Sequence, residues 1–166
     1  MDVLAIDLGL RTCGYVICGV SGRKINLIKE GQIKPDPKKN LPEKLHLIYA
    51  ELKKEIIDYS LKAIIVEKLY SHYRHPTTLG VLAQVKGIIA LLAYQSELDY
   101  FQYPPTRARK AMLGKGNVDS KQVKKMAENM TGKKFKSVHT ADAFSLVFAF
   151  SHTNSFKNKL FIQKNR

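Results

Sequence analysis

Acidic residues are scarce in this chain. Its 166 residues carry 14 Asp and Glu against 28 Lys and Arg, a formal net charge of +14 with a pI near 9.8. So large an excess favours a polyanionic partner, most often nucleic acid, over a neutral substrate. The C-terminal stretch FKNKLFIQKNR adds four of the positive charges, and most of the remaining excess lies between Lys24 and Lys136. Cysteine is scarcer still: only Cys13 and Cys18 are present. On one strand that spacing points the two to opposite faces, so they do not bridge each other, and no metal-type cysteine spacing exists. No basic-then-apolar leader opens the chain, so a reducing, cytoplasmic setting is expected. Long apolar runs are missing too. The longest, Val85 to Tyr94, is interrupted by Lys86 and reads as too short to span a bilayer, so no membrane is expected. Repeats, low-complexity tracts and linkers are absent. With 45% hydrophobic residues the chain reads as one domain over 1–156 followed by a basic tail, 157–166.

The pattern predicts three strands first, Val3–Asp7, Cys13–Val20 and Ile25–Ile33, turning at Gly9 and at Ser21-Gly22 as an antiparallel meander. Leu41–Tyr59 places Leu45, Ile48, Leu52, Ile56 and Tyr59 at helical spacing. Ala63–Glu67 reads as a strand buried on both faces. Thr77–Glu97 is predicted as a helix apolar on more than one side, one facing the sheet and one a second subunit. Leu82 and Ile89 are assigned to the side turned away from the sheet. A strand at Tyr100–Tyr103 and helices at Arg107–Leu113, Asp119–Met130 and Thr140–His152 complete a mixed sheet flanked by helices.

Against that frame the chemistry-bearing residues stand out. Asp7 closes VLAI and Glu67 closes AIIV, and a carboxylate at the end of a buried strand is costly unless something cationic sits there. His139 and Asp142, three apart in HTADAFSLVFAF, share one face of a helix's first turn. Each has a plainer reading: Asp7 as an Asx turn, Glu67 as a surface acid, Asp142 as a helix-start acid, His139 as a solvated imidazole or a proton shuttle. Together they suggest a set of ligands for divalent cations. Beside Glu67, the loop from Tyr70 through Tyr73 and Arg74 to His75 interleaves aromatic and basic groups, which suits stacking on an unpaired base while phosphates are held. Lys110, Lys115, Lys121, Lys124 and Lys125 form a basic band that could track a DNA backbone.

The stretches VLAIDLGLRTCGYVI, AIIVEKLY, AQVKGIIALLA, GKGNVDSKQV and HTADAFSLVFAF, in this order and spacing, resemble the RuvC family of Holliday-junction resolvases within the ribonuclease H-like superfamily. The resemblance implies a ribonuclease H-like α/β fold, with the three antiparallel strands followed by parallel ones. It implies metal ligands at Asp7, Glu67, His139 and Asp142, where the commonest family pattern has Asp in place of His139. Its DNA-contacting aromatic falls on Tyr70 and its basic residue before the Gly-x-Gly loop on Arg109. A second family lysine falls on Ser120, with Lys121 one residue displaced. Two ions, Mg²⁺ or also Mn²⁺, would serve phosphodiester hydrolysis, and the imidazole shifts the preference toward Mn²⁺. His139 is expected to titrate near its ordinary value of about 6.5.

The function these observations imply is a homodimeric endonuclease that cuts four-way DNA junctions by paired symmetric nicks in homologous recombination and repair. A branch-migration motor is the implied partner. The competing readings are a ribonuclease of the same superfamily, a non-catalytic junction-binding module, and a sugar-kinase-like ATPase. The last needs two such lobes where 166 residues supply one.

Overall fold

The computed structural model describes residues 1–70 and 75–164, with side chains as far as Thr153. The central strand β1 (Asp2–Asp7) pairs antiparallel with β2 (Cys13–Ser21), which pairs antiparallel with β3 (Lys24–Ile33). On its other side β1 runs parallel to β4 (Leu61–Glu67), and β4 parallel to β5 (Asp99–Tyr103). The resulting sheet of five has the order β3-β2-β1-β4-β5. The helices are α1 (Leu41–Asp58), α2 (Pro76–Gln95), α3 (Pro105–Leu113), α4 (Ser120–Thr131) and α5 (Val138–Lys164). The last helix extends well past the expected His152. Residues 157–164 of the expected basic tail fall on this helical extension, outside the residues whose side chains are described.

Strand alternation sorts the core into two layers. Leu4, Ile6, Ile64 and Val66 face Ile48 and Leu52 of α1 and Val85 and Ile89 of α2. Val3, Ala5, Ala63 and Ile65 face α3, α4 and α5, where Phe144 and Phe150 fill the space. Burying a side chain such as Ile48 or Leu52 stabilises by about 1.5–3 kcal/mol, which docks a helix whose own propensity would leave it marginal. The helix starts cleanly because Asn40 and Glu43 form a reciprocal capping box. Cys13 and Cys18 are both buried and unbridged, one in each layer, as the odd spacing requires.

One feature of β3 was not foreseen. Ile17 lies opposite Lys29 but Cys18 lies opposite Leu27, so Ile28 is an extra residue on the edge strand. The bulge changes the strand's phase. Leu27 faces the α5 layer, whereas Lys29 faces α1, where its Nζ donates to both Glu55 oxygens at 2.8 Å. The Tyr15 hydroxyl donates to the same carboxylate at 2.7 Å. The buried Glu55 is thus fully partnered, and burial beside it pushes the Tyr15 hydroxyl well above the usual tyrosine range.

The helix α2 requires two corrections to the sequence reading. Its 20 residues, taken whole, are long and apolar enough for a membrane span, although the Val85–Tyr94 stretch alone is not. Five of them, Leu82, Val85, Ile89, Leu92 and Ala93, are built into the core, so one side serves as a core helix. Leu82 (4% exposed) and Ile89 (0%) belong to that inner side and not to the outer one. The outer side carries Gly80, Ala83, Gly87, Leu91 and Tyr94.

Candidate active site

Ile6 lies opposite Val66, and the next residue on each strand is an acid. Asp7 shares its strand parity with Val3 and Ala5, and Glu67 shares its own with Ala63 and Ile65, so both project toward α5. The sheet ends there, which brings the two carboxylates to its edge directly below the start of that helix.

The start of α5 is fixed by Ser137 and Thr140. The Thr140 backbone N–H donates to Ser137 Oγ at 3.2 Å, and the Ser137 N–H donates to Thr140 Oγ1 at 3.3 Å. His139 and Asp142 project from the turn so formed. This turn rests on Gly14, the residue paired with Asp7 across the ladder. A Cβ at Gly14 would stand 2.5 Å from the His139 carbonyl carbon and 2.7 Å from its Cβ. Only a residue without a side chain lets the helix descend this far. The result is a 2.8 Å contact between His139 Nδ1 and Asp7 Oδ2.

Asp7, Glu67, His139 and Asp142 line one cavity of about 230 Å³. Asp142 is held from the opposite wall by Ser120 and Arg109. Burial raises the Asp142 pKa and the nearby Asp7 charge raises it further, while the Ser120 hydroxyl and the Arg109 guanidinium pull it back. The hydrogen bond to Asp7 raises the His139 pKa, with burial opposing, so it titrates above the ordinary value expected from sequence. Among the described residues, no three His, Cys, Asp or Glu groups converge on one point as placed. The donor chemistry nevertheless fits divalent cations: three carboxylates offer hard oxygens and the imidazole suits manganese.

The raised His139 pKa has a sign that can be checked. A pKa above its unfolded value gives stability that is full below the unfolded pKa and is lost as pH rises through the folded one. In metal-free protein, the difference in melting temperature between wild type and His139→Gln is expected to be largest near pH 5.5 and to narrow by pH 8. A difference independent of pH would mean that protonation of His139 adds no stability through its contact with Asp7.

The remaining site residues are placed unequally. Tyr70 is 38% exposed, with the Lys68 ammonium 5.6 Å from its ring centroid. Lys110, Lys115 and Lys121 are exposed on α3, on the following loop and on α4. Tyr73 and Arg74 lie outside the described residues. Arg109 turns inward: its terminal nitrogens donate to the Val118 carbonyl (2.6 Å), Ser120 Oγ (3.1 Å) and Asp142 Oδ1 (3.2 Å). Sequence reasoning missed Ser120 as a partner of Asp142, and Lys86 as a cation beside Glu67. Burial and Lys68 lower the Lys86 pKa while Glu67 raises it. The interruption of an apolar helix by a lysine was the available signal.

A mixed sheet of this order, with carboxylates at the ends of its two central parallel strands and a third on the helix across them, defines a ribonuclease H-like nuclease. The family model described as crossover junction endodeoxyribonuclease RuvC matches residues 3–152. The curated RuvC of Alkaliphilus metalliredigens is 29% identical over 95% of this chain and 97% of its own. That of Trichlorobacter lovleyi is 30% identical over 96% and 89%. Among solved structures, Thermus thermophilus RuvC in complex with a Holliday junction substrate has a TM-score of 0.85 at 21% identity, covering 95% of this chain and 96% of that one. The chain belongs to the RuvC family of crossover junction endodeoxyribonucleases.

Proposed function

We propose that this chain resolves four-way DNA junctions by paired symmetric nicks, one from each subunit of a homodimer, in homologous recombination and repair. The observation that carries this reading is the meeting of Asp7, Glu67, His139 and Asp142 in one cavity of a junction-nuclease fold. These four residues would hold the cations, Mg²⁺ or Mn²⁺ and two per site. Such ions activate the attacking water and offset charge on the leaving oxygen. The chain's own contribution is to aim the ligands. Asp7 stands on the central strand, Glu67 on its parallel neighbour, and α5 carries the other two across the gap. Tyr70 and Lys68 offer a stacking face and a cation beside Glu67. Lys110, Lys115 and Lys121 would track phosphates, Arg74 would add a further cation, and Tyr73 a further ring for stacking. Arg109 acts from inside the site. A branch-migration motor would deliver the junction in the cytoplasm.

The test is cutting of matched four-way DNA, duplex DNA and structured RNA in Mg²⁺ and in Mn²⁺. Paired nicks confined to the four-way DNA are expected. Preferential cutting of RNA, or junction binding without cutting in either metal, would overturn the reading.

Assembly is expected through the outer side of α2. A side chain added at Gly80 or Gly87 would meet nothing within 4 Å, while Leu91 (52%) and Tyr94 (82%) are exposed. Small residues flanked by large apolar ones let a second helix approach closely and bury apolar area. Wild type should sediment as a dimer at micromolar concentration and Leu91→Glu as a folded monomer whose melting temperature no longer depends on protein concentration. A monomeric wild type would refute this assembly. Leu82→Glu is no test, because it puts a charge into the core.

The imidazole sets the metal preference. A neutral His139 brings one nitrogen and no charge, so His139→Asp should improve cutting in Mg²⁺ relative to Mn²⁺. His139→Ala should lose most activity. Wild-type rates for His139→Ala in both metals would leave only three ligands in the site.

A further inference from the structure

Ser120 is the first residue of α4, but its hydroxyl takes no part in starting that helix. The cap is Asp119, whose side chain accepts from the Gln122 N–H at 2.8 Å, with Gln122 answering in a reciprocal box. The Ser120 hydroxyl points instead across the cavity and donates to Asp142 Oδ2 at 2.6 Å. That is the short distance expected when the acceptor is ionised. Arg109 closes a ring: its Nη2 donates to Asp142 Oδ1 at 3.2 Å and to Ser120 Oγ at 3.1 Å. Its Nη1 donates to the Val118 carbonyl at 2.6 Å, which ties the guanidinium to the loop leading into α4. The carboxylate is therefore gripped at both oxygens from two elements, α3 and α4, that do not carry it.

This grip matters because a carboxylate's terminal torsion is broad and soft. Asp142 also stands near another acid whose charge disfavours its own. A carboxylate has about four lone-pair sites. One donor on each oxygen leaves a lone pair free on both and fixes the plane in which they lie. Arg109 reaches Asp142 with one nitrogen only, at the longer distance, so the hydroxyl sets the orientation and the guanidinium braces it. Groups that orient a metal ligand in this way typically contribute 10–100-fold to affinity or activity.

We propose that Ser120 is a positioning residue for the cut, holding the Asp142 carboxylate in the plane from which it ligates, with Arg109 as the brace. The proposal rests on the reading of Asp142 as a metal ligand. It ties the position of α4 and its exposed lysines to the aim of an active-site acid.

The test compares Ser120→Ala, Ser120→Thr and Asp142→Asn with wild type by Mn²⁺ binding without DNA, single-turnover cutting, junction affinity and thermal melting. Alanine is a good helix former, so α4 is expected to persist. Ser120→Ala should weaken Mn²⁺ binding and slow cutting by about 10–100-fold, at unchanged junction affinity and with a single cooperative melting transition. Ser120→Thr, which keeps the hydroxyl, should restore both. Wild-type Mn²⁺ affinity in Ser120→Ala, or a loss that threonine does not repair, would overturn the proposal while leaving Asp142 in place. Wild-type Mn²⁺ binding and cutting in Asp142→Asn would instead remove the ligand reading itself.

Discussion

Asp7→Asn should abolish junction cutting and leave junction binding intact. The change keeps size and shape and removes one negative charge at the end of the central strand. Asp7 acts on both ligands carried by α5: its Oδ2 contacts His139 at 2.8 Å and its charge raises the Asp142 pKa. An amide there offers one weak oxygen donor where a carboxylate offers two charged ones. Losing even an outer partner of a metal ligand costs about 10–100-fold, so losing this carboxylate should cost more than about a hundredfold. The exposed cations lie elsewhere, on Lys110, Lys115 and Lys121, so gel-shift affinity should stay near wild type. The measurement is single-turnover nicking beside binding at one fixed salt concentration. Cutting at a comparable rate would mean that the centre of the site is wrongly placed.

Gly14→Ala, a change of one methyl group outside the ligand set, is expected to be almost as damaging. Its Cβ would stand 2.5–2.7 Å from His139 backbone and Cβ atoms, and backbone has nowhere to go but outward. Overpacking of this kind destabilises by about 1–3 kcal/mol. The functional loss should exceed the stability loss. Lifting the first turn of α5 moves His139 and Asp142 together, away from Asp7 and Glu67, and a shift of about 1 Å at a reacting centre can cost roughly a hundredfold. A lowered melting temperature together with a disproportionate fall in nicking rate is the expected pair of results. Full activity would show that the turn can tilt without disturbing the ligands.

The two strand-end acids were legible in sequence because a strand's parity is rigid. Once VLAI and AIIV are buried strands, the residue after each is confined to one of two faces. His139 and Asp142 were legible because three residues along a helix return to one side. The outer side of α2 was not. Its apolar residues run most of the way round, and glycine and alanine carry little hydrophobic signal, so the pattern had no phase to read. Leu82 and Ile89 were accordingly put on the wrong side. Nor could sequence show that Arg109 bends inward, since a basic residue in a basic chain reads as a DNA contact by default. Ser120 left a trace only as a departure, standing where the resemblance called for lysine. Glu55 left none, because its partners Tyr15 and Lys29 come from two other elements.

The extra residue at Ile28 bears on how the gene can vary. Point changes on the outer positions of β3 alter one side chain each. Losing the Ile28 codon would cancel the bulge and leave Leu27 opposite Cys18 and Lys29 opposite Ile17, now as a regular ladder with every later position on its present face. Losing Glu30 instead would also remove the bulge, but by sliding Lys29 opposite Val16 and so onto the face away from Glu55. Drift along this edge of the sheet is therefore open to in-frame deletion at the bulge itself and penalised at the positions that follow it.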